Sequence, residues 1–193
     1  MFVGRENELN KLNRMYKSNN FQFAVIYGRK RIGKTALIQK FIEDKEAIYF
    51  VVLEENAHDN LVRLSTAIVN FENNSNLSEA SLGSFENCFR EIAQIAQSKK
   101  VVLVIDEYLY LAQTAPEISS MLQSYIDNEL KNNSLFLILC GSSMSFMEKQ
   151  VLEYKSPLYG RRTAQFKLNE ERRSICFKYY YWCNSFIFIV YVD

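Results

Sequence analysis

The sequence has no C-x-x-C pair; its four cysteines, Cys88, Cys140, Cys176 and Cys183, lie far apart. That spacing offers no thiolate cluster and points to reduced thiols in a cytoplasmic protein. Cys140 closes an apolar run and reads as a buried small hydrophobe. There is one histidine, His58, set among polar residues. A metal centre needs more ligands than that, so His58 reads as a solvent-facing helix residue. Neither sign of charge is in excess: 23 Lys plus Arg against 22 Asp plus Glu give a formal net charge of +1. The balance argues against a dedicated nucleic-acid coat or a polybasic membrane binder, though it leaves room for a local patch. No long hydrophobic run occurs either. Phe186 to Val192 is seven residues, too short to span a bilayer, which takes about 20. Arg5 and Glu6 interrupt the first residues, so the sequence predicts no signal peptide and no membrane association.

What is present is enough apolar material for a core, 48% of 193 residues, which suggests one domain with an appendage. Its organising stretch is Gly28-Arg29-Lys30-Arg31-Ile32-Gly33-Lys34-Thr35, which reads G-x-x-x-x-G-K-[ST], the Walker A pattern. Gly28 and Gly33 let the backbone curl around a phosphate chain with its N–H groups inward. Lys34 supplies a cation for the β- and γ-phosphates, and the Thr35 hydroxyl is a Mg²⁺ ligand. The context fits. Phe21 to Tyr27 is a β-branched and aromatic run, and Thr35 to Ile42, through Ala36, has helical spacing, so a helix N-terminus also faces the anion.

Other segments follow in order. Leu9, Leu12, Met15 and Tyr16 share one helical face after Gly4 and Arg5. Ala47 to Leu53 is a continuous apolar run that suits a strand buried on both faces of a parallel sheet. Leu61 to Phe71 and Phe85 to Ala96 predict helices on either side of a polar loop over 73–84. Val101 to Ile105 is an apolar strand ending in Asp106-Glu107, and carboxylates beside a core need a use or a partner. With the glycine loop upstream this reads as Walker B: Asp106 holds Mg²⁺ through its water shell, and Glu107 orients and deprotonates the attacking water. A helix is expected from Pro116 to about 132, then a buried strand, Leu135 to Cys140, followed by Gly141-Ser142-Ser143. Ser142 and Ser143 are candidates for sensing the γ-phosphate or, equally, for capping the Met144–Tyr154 helix. Thr163 to Leu168 alternates like a fifth strand. Arg161 and Arg162 before it read either as an arginine finger or as a solvated basic turn.

These residues resemble the archaeal-type P-loop ATPases of the AAA+/STAND superfamily. The matching pieces are Phe2-Val3-Gly4-Arg5-Glu6, Gly28–Thr35, Val102–Glu107, Cys140-Gly141-Ser142-Ser143 and Ser156 to Arg162. The resemblance runs from Phe2 to about Leu168. It implies an α/β fold of the P-loop NTPase class, three-layered α/β/α around a parallel five-stranded sheet. ATP and Mg²⁺ would sit at the strand tips, with the Gly4-Arg5 turn near the adenine. Members continue into a helical lid and a winged-helix domain, whereas residues 169–193 read as an atypical tail. It holds a Glu170–Arg173 charge cluster and eight aromatics from Phe177 to Tyr191. The expectation is a nucleotide-binding domain over 1–168 cut short after its core, with a tail that favours self-association.

Two functions follow. One is Mg²⁺-dependent ATP hydrolysis driving a conformational switch, with Gly4, Arg5, Gly28, Arg29, Arg31, Ile32, Gly33, Lys34, Thr35 and Ala36 on the nucleotide. In that reading Thr35 and Asp106 hold the metal, and Glu107, Arg161, Arg162 and Ser142 serve catalysis. The other is a nucleotide-binding switch or remnant with little turnover. A small-molecule kinase is a weaker third reading, because no acceptor-binding lid is visible. A homo-oligomer and a protein or DNA partner stay open, since no segment names one.

Overall fold

The computed structural model describes residues 4–18, 20–131 and 133–169. The expectations for residues 170–193, including the charge cluster, the aromatics, Cys176 and Cys183, lie outside the described residues, as do Phe2 and Val3.

Five strands form one parallel sheet: β1 (Gln22–Tyr27), β2 (Ala47–Val51), β3 (Val101–Asp106), β4 (Leu135–Gly141) and β5 (Ala164–Lys167). Their spatial order is β2-β3-β4-β1-β5. β3 and β4 are the central apolar runs, and every residue in both is buried. That follows from helices covering both faces of a parallel sheet. One face takes Ala24, Ile26, Val102, Val104 and Ile138 against α1 (Glu6–Tyr16) and α2 (Lys34–Ile42). The other takes Val25, Ile48, Phe50, Leu103, Ile105 and Leu137 against α3 (Ala57–Asn73), α4 (Phe85–Ser98), α5 (Tyr108–Thr114) and α6 (Ile118–Tyr125). The three-layer α/β/α architecture is thus written in the two-residue alternation along each strand.

Local signals set the helix ends. Asn56 and Ser84 cap α3 and α4 by accepting the N–H groups of Asp59 (2.9 Å) and Asn87 (3.1 Å). α3 therefore starts four residues before the predicted Leu61, because the polar His58 and Asp59 turn is held by the cap rather than by apolar spacing. His58 is exposed on that turn, as its surroundings in the sequence predict. α6 begins two residues after Pro116 and widens over Ile126–Leu130 into π-type turns. A similar widening over Met147–Leu152 follows the short α7 (Met144–Phe146). α5 was not visible in the sequence: its seven residues are too few to show a period.

Candidate functional site

The C-terminal ends of β1, β3 and β4 meet at one place, where open parallel sheets put their ligand sites. From β1 the chain enters the Gly28–Gly33 loop, and α2 begins at Lys34. Arg31 takes a positive φ of 68° and Gly33 one of 90°. A Cβ on Gly33 would meet nothing within 4 Å, so the loop curls around open space. A cavity of about 350 Å³ lies there, lined by Lys30, Arg31, Gly33, Lys34, Thr35, Ala36 and Glu107. The volume is at the lower end of the roughly 300–1,000 Å³ usual for small-molecule sites.

Lys34 is buried, and its ammonium donates to the carbonyls of Gly28 (3.0 Å) and Arg29 (2.9 Å). The loop's cation is therefore held at the cavity by its own backbone. Arg29 contributes that carbonyl and does not line the cavity. Ile32 packs toward the α1–α2 core, and its carbonyl accepts from Arg5 at 3.2 Å. Arg5 also bonds Glu8 (3.1 Å) and the Asn169 carbonyl (2.6 Å), so the turn after Gly4 is tied to the back of the loop. Lys30 lines the cavity although its motif position carries no fixed role.

Asp106 ends β3, buried. Its Oδ1 accepts from the Glu107 backbone N–H at 2.9 Å. Its Oδ2 accepts from the Tyr49 hydroxyl at 2.6 Å and, at a long 3.4 Å, from Thr35 Oγ1. Burial first, and the Asp106 carboxylate second, push the Tyr49 hydroxyl far above its ordinary value, so Tyr49 stays protonated and donating. Burial and then Asp106 likewise push the Cys140 thiol well up. Tyr49 is the residue that the sequence did not show: inside an apolar strand it reads as core.

Glu107 is in the left-handed region at φ 55°, ψ 45°, a conformation that costs about 1–3 kcal/mol in a non-glycine residue and clusters at functional sites. It brings Oε2 to the Ser142 N–H (3.2 Å) and hydroxyl (2.9 Å) at the tip of β4. Ser142 therefore touches Glu107. Ser143 precedes α7 but makes no side-chain cap there.

The two arginines are placed elsewhere. Arg161 donates from Nε to both Asp127 carboxylate oxygens (3.1 Å each) and from Nη2 to one of them (2.6 Å). Arg162 bonds Gln165 at 3.1 Å and lies over the Tyr159 ring. Neither lines the cavity.

The residues fit a metal brought in with a phosphate ligand. Thr35 and Asp106 converge across a contact weak enough to yield, beside the open cradle of Gly33. Among the described residues no three His, Cys, Asp or Glu side chains form a cage. That is the arrangement Mg²⁺ uses when substrate oxygens complete its shell. Also among the described residues, no helix is long and apolar enough to cross a membrane.

The sequence profile of an ATPase domain predominantly from Archaea matches residues 2–170. The uncharacterized protein MJECL04 of Methanocaldococcus jannaschii is 39% identical over 168 residues, covering 87% of this chain and 36% of its own length. An uncharacterized ATP-binding protein of the same organism, MJ0423, is 48% identical over 46 residues, 24% of this chain and 78% of that protein. Among solved structures, the Walker-type ATPase PABY2304 of Pyrococcus abyssi superposes with a TM-score of 0.64 at 22% identity, over 86% of this chain and 53% of that one. The Orc1 protein of Aeropyrum pernix, solved in complex with DNA, gives 0.58 at 17% identity, over 88% and 46%. These likenesses show the P-loop ATPase fold.

Proposed function

We infer the function from one premise: this chain belongs to the family of ATPase domains found predominantly in Archaea. We propose that it binds ATP with Mg²⁺ at the tips of β1, β3 and β4 and hydrolyses it to drive a conformational switch. The observation that carries the reading is the convergence of Lys34, Thr35 and Glu107 on one cradle that a glycine leaves open, with Asp106 against Thr35 at its edge. The chain spans 36% of the length of MJECL04, so the activity of any longer protein is part of the proposal.

Each residue then has a task. The loop N–H groups and the α2 N-terminus take the phosphate oxygens. Lys34 exchanges its two carbonyl partners for the β- and γ-phosphates. Thr35 and Asp106 would hold Mg²⁺, which would supply neutralisation of the phosphate charge. Glu107 takes a proton from a water as its oxygen attacks the γ-phosphorus; the bond to the β–γ bridging oxygen breaks, leaving ADP and phosphate. Ser142 holds Glu107 Oε2, which leaves Oε1 for the water. Buried, unpaired Cys88 and Cys140 support a reducing, cytoplasmic setting.

A second reading, ATP binding with little turnover, is favoured by the pairing of Arg161 with Asp127, which engages its guanidinium outside the cavity. Arg162, or an arginine from a second copy, would then have to complete the charge. One assay separates the readings. Phosphate release by the wild type should fall about 10²–10⁴-fold in Glu107→Gln while ATP stays bound, because the amide orients a water but cannot take its proton. Equal turnover in the variant removes Glu107 as the base; a wild type that holds ATP and releases no phosphate establishes the second reading.

A further inference from the structure

Asp106 accepts its shortest hydrogen bond from a residue outside the glycine loop and outside β3. Tyr49 sits in β2 in register with Val104, and Val51 is in register with Asp106. Side chains in register share a face of a parallel pair, so Tyr49 and Asp106 are on the α1–α2 side, two positions apart. Two positions are about 6.6 Å of strand, a gap that a tyrosine ring with its hydroxyl spans and shorter side chains do not. The ring packs against the α1–α2 core, and the hydroxyl reaches Asp106 Oδ2 at 2.6 Å. β2 is an edge strand and Tyr49 is only half-buried, yet its hydroxyl does not turn out to solvent. It meets the carboxylate instead.

We propose that Tyr49 is a positioning residue for the metal: its hydroxyl fixes the Asp106 carboxylate in the orientation that faces Thr35. The proposal rests on the reading of this site as a Mg²⁺–nucleotide site. The terminal torsion of an aspartate is broad and roughly two-fold, so the carboxylate must be held from both oxygens to present one of them. Oδ1 is held by the Glu107 N–H at 2.9 Å. Oδ2 has two donors, and the Thr35 contact at 3.4 Å is the weak one, which an entering ion would replace. Once Thr35 turns to the ion, the Tyr49 hydroxyl is the strong donor left on Oδ2, beside the Cys140 thiol, a weak donor that also meets this carboxylate. Mg²⁺ demands near-ideal octahedral geometry, so it is sensitive to that orientation. Tyr49 does not line the cavity beside the glycine loop; it is one of the β2 residues along a separate groove of about 600 Å³ that α3 also lines. Its effect should therefore reach the nucleotide only through the metal.

The test compares the affinity of the full chain for a non-hydrolysable ATP analogue with excess Mg²⁺ and with chelator, for wild type and Tyr49→Phe. The ratio of the two affinities measures coupling to the metal without any turnover. The phenylalanine keeps the ring and its packing, and a melting curve checks the fold. The expected result is a ratio about tenfold smaller in Tyr49→Phe, at the lower end of the 10–100-fold that outer-shell partners of metal ligands are worth. The affinity in chelator should be unchanged. An unchanged or larger ratio in the variant overturns the proposal and leaves the site reading standing, the larger ratio meaning that the hydroxyl competes with the ion. Equal losses with and without Mg²⁺ overturn it too and make Tyr49 a packing residue. A wild type with no gain from Mg²⁺ overturns both the site reading and the proposal.

Discussion

Gly28 and Gly33 are both fixed by the motif, and they are glycine for different reasons. A Cβ on Gly28 would lie 2.3 Å from the Leu168 carbonyl oxygen and 2.4 Å from Ile32 Cδ1. The first of these is backbone and cannot swing aside. Gly28 is therefore where the loop entry lies against the chain leaving β5, a packing requirement. A Cβ on Gly33 would meet nothing, but the residue holds a φ of 90° and lines the cavity. Gly28→Ala should cost stability on the order of 1–3 kcal/mol through overpacking, a drop of several degrees in Tm for a domain of this size. Gly33→Ala should cost about 1–2 kcal/mol of left-handed strain and should also weaken ATP binding, since the methyl group enters the cradle. Thermal melts with and without ATP separate them: Gly28→Ala melts lower but keeps its ATP-induced rise, and Gly33→Ala loses most of that rise. An unshifted Tm in Gly28→Ala would contradict the contact with Leu168. The sequence pattern names both glycines but cannot distinguish these roles, because the partner of Gly28 lies 140 residues away in the chain.

Among the elements, the turn before β5 shows why an arginine pair is ambiguous in sequence. Arg161 and Arg162 are adjacent and chemically alike, and only the fold brings Asp127, on the widened end of α6, to one of them. Arg161 also donates to the Pro157 and Tyr159 carbonyls, so it clamps this turn onto α6. The pair is partly exposed, which limits its contribution to about 1 kcal/mol or less. Arg161 holds the Asp127 carboxyl below its ordinary 3.8. A depressed carboxyl stabilises the fold above its unfolded value and loses that contribution as the pH falls through its folded value. Arg161→Ala should thus melt slightly lower than wild type at pH 7, and the gap should narrow as the pH falls below 3.8, leaving only the part owed to the carbonyl bonds. A variant with unchanged Tm and a large loss of turnover would instead restore the finger role. The strands were easier to read. β3 and β4 are continuous apolar runs because helices cover both of their faces, and that composition is local. Sheet order is not local: nothing in Ala47–Val51 says that β2 is an edge strand, and so nothing marks Tyr49 as able to reach Asp106.

At the scale of the molecule, the fold and half of the site come from one regularity. A parallel sheet carries the loops that follow its strands to one end, and the residues at the ends of β1, β3 and β4 meet there however far apart they lie in sequence. Lys34, Thr35, Asp106, Glu107 and Ser142 could be singled out in the sequence because each lies at the end of a strand or in the segment that follows one. Tyr49 and the Arg161–Asp127 clamp could not, because each depends on a contact between elements. The central claim is that this end of the sheet is a Mg²⁺-dependent ATP site. The direct measurement is a calorimetric titration of the chain with ATP, with Mg²⁺ and with chelator, alongside Lys34→Ala. The account predicts saturable binding to the wild type that Mg²⁺ strengthens, and its loss in Lys34→Ala, where the cradle has no buried cation against the phosphate charges. Wild type that does not bind ATP, or Lys34→Ala that binds as tightly as wild type, would contradict it.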